Sequence, residues 1–304
     1  MNRREFTKTG LLLAAATAVG RYRLSAAPSP SLTVDTHAHI FQRGLPLASK
    51  PRYVPDYDAP LKAYLGQLDQ HHITKGVLIQ PSFLGTDNSY LTAALMKQRD
   101  RLRGVGVIPP TATADEITQL AGQGIVGVRL NLIGQKLPEL TTPVWRSFLS
   151  RVQAAGWSVE IQVDAHDLPV VVDGLLASGV NVVVDHFGRP DPAKGVDDPG
   201  FRYLLEKGPT GKVWVKLSGA YRNGPKGVGE KIALAASPLL LQSFGPRRLV
   251  WGSDWPHTQF EKVASYDAAW AGLQQWVPDD RQRATILWDT PVELYHFSSV
   301  TAAS

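Results

Sequence analysis

Eight short apolar runs, each followed by a longer amphipathic stretch, constrain this chain more than any other feature. The runs are 32–41 (LTVDTHAHIF), 76–82 (GVLIQPS), 102–108 (LRGVGVI), 124–131 (GIVGVRLN), 157–163 (WSVEIQV), 181–189 (NVVVDHFGR), 212–219 (KVWVKLSG) and 249–255 (LVWGSDW). They are rich in β-branched residues and nearly continuous, as parallel strands buried on both faces must be. Helical periodicity fills the intervals, for example over 90–101, 144–155 and 168–177, and Gly76, Gly124 and Gly156 stand where a helix stops and a strand begins. Eight strand–helix units match an α/β fold of the (β/α)₈ TIM-barrel type, which takes about 250 residues. The sequence therefore predicts a single-domain barrel over residues 28–304. An open doubly wound sheet is the alternative, but no glycine-rich fingerprint follows an early strand.

Residues 1–27 read differently. Arg3-Arg4 followed by Phe6 and Lys8 has the spacing of a twin-arginine export signal, and Gly10 begins a ten-residue weakly apolar stretch, GLLLAAATAV. That stretch is too short to span a bilayer core, which needs roughly 20 residues. Ser25-Ala26-Ala27 offers a cleavage site. The expectation is a Tat signal peptide that engages the Tat export machinery and leaves a periplasmic or secreted protein without stable membrane association.

Charge supports this division. The formal net charge is +5, yet the leader holds five of the 32 basic residues and one of the 27 acidic ones. The remainder, with 27 basic and 26 acidic residues, is nearly neutral and has no basic run to follow a phosphate backbone, so no nucleic-acid partner is expected. The absence of cysteine removes disulfides, thiolate metal sites and a Cys nucleophile.

In a barrel of this kind, chemistry sits at the C-terminal ends of the strands. There the sequence places His37 and His39, two apart and so expected on one face of the first strand. It also places Gln80 and Ser82, Arg129, Gln162, Asp185-His186, Lys216 and Ser218 with Arg222 beyond, and Asp254. Two loops, 45–60 with four prolines and 189–200, are expected to lie over the mouth. Any one histidine in an apolar run is readily a satisfied core residue. Four groups (His37, His39, His186 and Asp254) arriving from separate strands imply a ligand, water or metal between them, because buried polar groups are costly when unpaired. His166 and His257 are secondary candidates; His71 and His72 are expected to be solvated, and His296 to lie in the C-terminal helix.

The segments VDTHAHIF (34–41), QPSFLGTDN (80–88), GVRLN (127–131), DHFGRP (185–190), KLSGAYR (216–222) and WGSDWPH (251–257) together resemble the amidohydrolase superfamily. The similarity is greatest to its branch of 2-pyrone-4,6-dicarboxylate lactonases and sugar lactonases, and it spans residues 34–297. It implies a hydrolase that opens a lactone of an anionic or sugar-derived substrate by attack of water. In that pattern Asp254 is the general base, and His37, His39 and His186 polarise the carbonyl. Arg129, Ser82, Arg189, Arg222 and Tyr53 bind substrate, with Gln162 where the family has a mouth tyrosine. Gln135 stands in place of a second strand-four arginine, which leaves a monocarboxylate or sugar lactone open.

Binuclear members of the superfamily use a lysine or acid on strand four and a histidine on strand five. Arg129 and Gln162 occupy those places here, and the positive charge of Arg129 weighs toward a metal-free site. A single zinc or manganese on His37, His39, Asp254 and His186 is the alternative. Two other functions stay open at this level: a metal-dependent decarboxylase or hydratase of the same superfamily, and a catalytically silent periplasmic binding protein.

Overall fold

The computed structural model describes residues 32–298, so the leader expected over residues 1–27 lies outside the described residues. The eight expected strands all form: β1 (Val34–Ala38), β2 (Lys75–Ile79), β3 (Leu102–Gly106), β4 (Ile125–Asn131), β5 (Ser158–Gln162), β6 (Asn181–Val184), β7 (Val213–Ser218) and β8 (Leu249–Gly252). They pair in parallel and in sequence order. The sheet closes where the Asp254 amide donates to the His37 carbonyl (2.8 Å) and the His39 amide to that of Trp255 (2.8 Å). Closure therefore runs through the residues singled out for chemistry.

Helices cover the outside: α1 (Leu61–Gln70), α2 (Ser89–Lys97), α3 (Ala114–Gly122), α4 (Pro143–Ala154), α5 (Leu168–Ala177), α6 (Pro199–Leu205), α7 (Val228–Phe244) and α8 (Tyr266–Trp276). Local chemistry explains several starts. Thr113 and Glu116 form a reciprocal capping box on α3, and the Asp198 carboxylate accepts from the Gly200 and Phe201 amides at the head of α6. Two short helices, α9 (Asp280–Ala284) and α10 (Thr290–Leu294), follow. A π-helical stretch, Thr285–Asp289, joins them and lets Pro291 enter α10 near its start. Among the described residues no helix is long and apolar enough to cross a membrane.

The barrel interior is layered. Val34, Val77, Val105, Val183 and Val250 form an apolar floor, plugged from below by Leu294, Tyr295 and Phe297. Above the floor the inward positions become charged.

Strand β1 departs from simple alternation. Its register against β2 shifts between Asp35 and Ala38. A bulge of this kind re-aims side chains, so Asp35 and His37, although two apart, do not share a face. Asp35 turns outward to accept from Ser253 Oγ (2.6 Å), Tyr64 Oη (3.2 Å) and Tyr266 Oη (3.1 Å), tying β1 to β8 and to two helices. His37 and His39 turn inward together, as expected.

Candidate active site

His37, His39, His186 and Asp254 come together at the mouth, all buried. Asp254 Oδ1 lies 3.7 Å from His37 Nε2 and 3.8 Å from His39 Nε2. The His37 ring centroid is 5.0 Å from that of His39 and 4.9 Å from that of His186. Asp254, His186, Arg189 and His257 all hold positive φ, at 61°, 51°, 50° and 64°. Such conformations cost on the order of 1–3 kcal/mol each in non-glycine residues and gather at functional sites.

Each group has a distinct second contact. Asp254 Oδ2 accepts from Tyr221 Oη (2.7 Å) and Arg222 Nε (2.5 Å), while Arg222 Nη2 reaches Oδ1 at 3.3 Å. Burial opposes its charge, but Arg222, His186 and His37 outweigh burial and hold the Asp254 carboxyl well below the ordinary range. Asp254 is thus held ionised. His39 Nδ1 donates to the Ile79 carbonyl at 2.8 Å. Burial, then the charge of Arg129, lowers His39 to about 4, and burial lowers His186 to about 3. His186 Nδ1 meets Ser218 Oγ at 2.9 Å. His257 lies beside Tyr221 (3.2 Å) and is lowered to about 4, chiefly by burial.

Beneath this rim lies a charged layer in which sequence reasoning had placed Arg129, Asp185 and Lys216 at strand ends but missed Glu160 and the pairing. Lys216 Nζ bonds the Glu160 carboxylate, donates to His37 Nδ1 (3.0 Å) and lies 3.5 Å from Asp185 Oδ1. Arg129 Nη2 donates to Asp185 Oδ2 (2.9 Å) and Gln162 Oε1 (2.8 Å), and its Nε lies 3.4 Å from Glu160. Two cations and two carboxylates neutralise one another in the dry centre of the barrel. Burial and the nearby Asp185 push Glu160 up to about 7. Burial opposes the charge of Asp185, but Lys216, His37 and Arg129 prevail and hold it well below the usual range.

The expected substrate-binding residues are placed unevenly. Arg129 is at the mouth but buried and engaged, so it is not a free fork. Arg222, expected to bind substrate, clamps Asp254 itself, which arrives just past β8, 32 residues away in sequence. Arg189 pairs with Asp164 (3.0 Å) rather than with Asp185 or Asp191. Ser82 begins a 3₁₀ turn beyond β2, and its Oγ is buried without a partner. Tyr53 packs against Phe83 at a centroid distance of 5.4 Å. Gln162 bonds Arg129 and Asn131.

Arg52, not singled out in the sequence, sits over the Tyr53 ring at 5.7 Å. It is exposed overall, yet desolvation of its guanidinium and the like charges of Arg129, Arg222 and Arg189 lower its pKa. Its only signal in the sequence was membership of the proline-rich loop expected over the mouth. Of these arginines Arg129, Arg189 and Arg222 are paired with carboxylates, which leaves Arg52 as the one without an acidic partner among those four. A cavity of about 730 Å³ adjoins the rim, lined by Asp164, His166, Arg189, Tyr221, Arg222 and Asn223 among others.

The remaining histidines lie elsewhere. His71, expected in solvent, is sealed by bonds to the Gln67 carbonyl (2.9 Å) and Asp267 (2.7 Å). His72 is exposed as expected, and His296 is exposed just past α10.

As for metal, one atom each from His37, His39 and Asp254 lie within 4.8 Å of one another, as do atoms of His37, Asp185 and His186. The atoms suit one divalent cation in number, and their hydrogen bonding limits which of them can ligate. Lys216 is a pure donor, so His37 Nδ1 accepts and the neutral ring carries its proton on Nε2, facing the site. Asp254 is shared with Arg222. His39 and Asp254 offer lone pairs to the site, and His186, whose Nδ1 is bonded to Ser218 Oγ, is the candidate third ligand.

Known proteins bear out the family pattern. The amidohydrolase family model matches residues 34–297. A 2-pyrone-4,6-dicarboxylate hydrolase of Comamonas testosteroni is 32% identical over 279 residues, covering 88% of this chain and 90% of the relative. A 4-sulfomuconolactone hydrolase of Rhizobium radiobacter is 31% identical over 269 residues, covering 86% and 89%. The crystal structure of a probable 2-pyrone-4,6-dicarboxylic acid hydrolase from Acinetobacter baumannii, with citric acid bound, superposes with a TM-score of 0.85. It shares 41% identity and covers 87% of this chain and 99% of that one. With eight closed parallel strands and a histidine–aspartate rim at their C-terminal ends, the chain belongs to the amidohydrolase family.

Proposed function

We propose that the protein is a hydrolase that opens the ring of an anionic lactone by addition of water, in the compartment outside the inner membrane. One observation carries the reading: the buried Asp254 Oδ1 lies within 4 Å of both His39 Nε2 and an unpartnered His37 Nε2, below an entrance where Arg52, Arg189 and Arg222 gather. Ester hydrolysis needs an acceptor for the proton of the attacking water and a donor for the carbonyl oxygen as it gains charge. Both are present within the span of one ester group. Arg222 and Tyr221 orient Asp254 so that Oδ1 faces the histidines. The relatives named for a pyrone dicarboxylate and a sulfomuconolactone support an unsaturated lactone bearing acid groups, and the citric acid bound to the neighbour supports an anionic substrate. Arg52 and Arg189 are the cations best placed to meet such groups.

Ser82 and Tyr53 are proposed as substrate contacts from the side of β2 and the proline-rich loop. The twin-arginine leader supports delivery by the Tat machinery. A divalent cation at His37, His39 and Asp254 would polarise the carbonyl. It requires His37 to surrender the proton on Nε2, so no step here depends on it.

The test is ring opening of a lactone panel, with carboxylated, sulfonated and sugar members, by the mature protein before and after chelation, alongside metal analysis. Opening of the acidic lactones, abolished in Asp254→Asn, is expected. Carbon dioxide release in place of ring opening, or tight binding with no conversion, would replace this function with a decarboxylase or a binding protein. Full activity of Asp254→Asn would remove the rim from the chemistry.

A further inference from the structure

The barrel closes unevenly. Each consecutive pair of strands from β1 to β8 shares a parallel ladder, whereas among the described residues β8 and β1 meet through a single bridge, Ala38 to Trp255. That seam carries His37 and His39 on one side and Asp254 on the other, so the least regular junction holds most of the rim. Asp35 is fully buried beside it, turned away from the rim toward α1 and α8. Its Oδ1 accepts two backbone amides, from His37 at 3.1 Å and from Ser253 at 2.8 Å. One oxygen thus joins the amide of a rim histidine to that of the residue before Asp254. Its Oδ2 accepts from three hydroxyls, Ser253 Oγ (2.6 Å), Tyr64 Oη (3.2 Å) and Tyr266 Oη (3.1 Å). The strands also press close here, since a Cβ on Gly252 would lie 2.5 Å from that of His37.

We propose that Asp35 is a positioning residue for the hydrolysis: by holding the His37 and Ser253 amides on one oxygen, it sets the spacing between His37 and Asp254 where the ladder does not. Asp35 never touches substrate, and the chemical roles of the rim groups stay as the family pattern has them. The proposal rests on the lactone reading for its reaction but not for its spacing. The interval at stake is the 3.7 Å between His37 Nε2 and Asp254 Oδ1. A misplacement of about 1 Å at a reacting centre costs about 10²-fold in rate.

The two oxygens of Asp35 separate this role from plain stabilisation. A carboxylate buried only to hold the fold together would depend on all its donors alike. A positioning one depends on the two amides at Oδ1, and the hydroxyls at Oδ2 merely keep it in place. The distinction makes asparagine informative. Its carbonyl oxygen accepts both amides as Oδ1 does, and its NH₂ replaces Oδ2 among hydroxyls, which accept as well as donate. Ser253 Oγ has the His37 carbonyl, 3.4 Å away, as another acceptor when it turns. Asp35→Asn therefore keeps the bridge across the seam, and Asp35→Ala removes it.

The test compares Asp35→Ala, Asp35→Asn and the double variant Tyr64→Phe/Tyr266→Phe of the mature protein. It reads kcat, KM, melting temperature and hydrogen exchange of the His39 and Asp254 amides, which close the seam onto the Trp255 and His37 carbonyls. Asp35→Ala is expected to lower kcat about 10²-fold with KM nearly unchanged, and to speed exchange at both amides. Asp35→Asn is expected to restore kcat and protection to near the wild-type values. The tyrosine pair should lower the melting temperature and leave kcat and protection in place. A folded Asp35→Ala protein with wild-type kcat would overturn the proposal. So would a folded Asp35→Asn protein, or a folded tyrosine pair, whose kcat falls 10²-fold. If Asp35→Ala does not fold, the other two variants decide: kcat kept in both supports the spacing role, and collapse in either refutes it. Exchange needs no substrate, so failure to find a hydrolysable lactone would sink the functional reading alone. Protection kept in Asp35→Asn and in the tyrosine pair would still support the spacing role, and protection lost in either would refute it.

Discussion

The rim and the layer beneath it are both built from buried titratable side chains and behave as opposites. On the rim, His37 Nε2 has no partner, and it and His39 Nε2 both stand too far from Asp254 Oδ1 for a hydrogen bond. In the layer, Arg129, Lys216, Glu160 and Asp185 contact one another. Only a few angstroms separate the two. The rim keeps its polar capacity open toward a substrate, and the layer spends its capacity holding the rim still. Buried charge in this barrel therefore has two meanings, and partners, more than burial, tell them apart.

The sharpest way to break that contrast is to remove one group from each region. His39→Gln is expected to lower kcat by about 10²–10⁴, the usual span for loss of a group that moves a proton or polarises the carbonyl. Its stability should change by only about 1 kcal/mol, because only the hydrogen bond to Ile79 is put at risk. Asp185→Asn is expected to cost about 3–5 kcal/mol of stability, because Arg129 loses its buried partner and Lys216 loses a neighbouring charge. Denaturant unfolding together with steady-state kinetics reads both. A stable, active Asp185→Asn protein, or an unfolded His39→Gln protein, would erase the distinction.

A smaller effect is expected where the rim is held only by space. Gly219 follows β7 with φ of 53°, and a Cβ there would lie 2.7 Å from Asp254 Oδ2 and 2.8 Å from His186 Nδ1. Gly219→Ala should therefore push two rim groups apart while leaving the charged layer alone. A loss of about 10²-fold in kcat is expected from displacement on the ångström scale. Unchanged kcat would show that the spacing of Asp254 and His186 is not critical.

The rim was legible in the sequence and the layer was not, for a physical reason. His37, His39, His186 and Asp254 end apolar runs, where a polar residue is conspicuous. Glu160 lies inside 157–163, alternating with Ser158 and Gln162, and only the last of the three stands at the strand end where chemistry was expected. Lys216 could be placed at a strand end but not given a partner. The ion pairs join β4, β5, β6 and β7 and are set by register across the barrel, which no local pattern encodes. The Arg222 clamp on Asp254 has the same origin. The bulge at Asp35–Ala38 was equally hidden, and it puts Asp35 outside and His37 inside. Existence and order of strands follow from periodicity, and partnerships follow from closure.

The two regions should also pull stability in opposite directions as pH changes. His39 and His257 are lowered to about 4 and His186 to about 3, against an unperturbed 6.5. Between roughly pH 6.5 and 4 the unfolded chain binds more protons at these positions, so they make stability fall as pH falls. Glu160, raised to about 7 from 4.5, does the reverse: between pH 7 and 4.5 the folded state binds the extra proton, so stability rises as pH falls. The lowered Asp185 and Asp254 carboxyls act below that window, where stability is lost as pH falls through and beneath 3.8. Several rim histidines oppose Glu160 and Asp35, whose carboxyl is also raised by burial, so thermal stability should decline from pH 6.5 to 4.5. Glu160→Gln removes one opposing proton and should steepen the decline by about 1.4 kcal/mol per pH unit, the value of one proton. Melting curves of both proteins across the window decide it. A wild-type protein that gains stability on acidification would mean that the layer outweighs the rim. An unchanged slope in Glu160→Gln would mean that Glu160 is already ionised at neutral pH and that Lys216 holds it there.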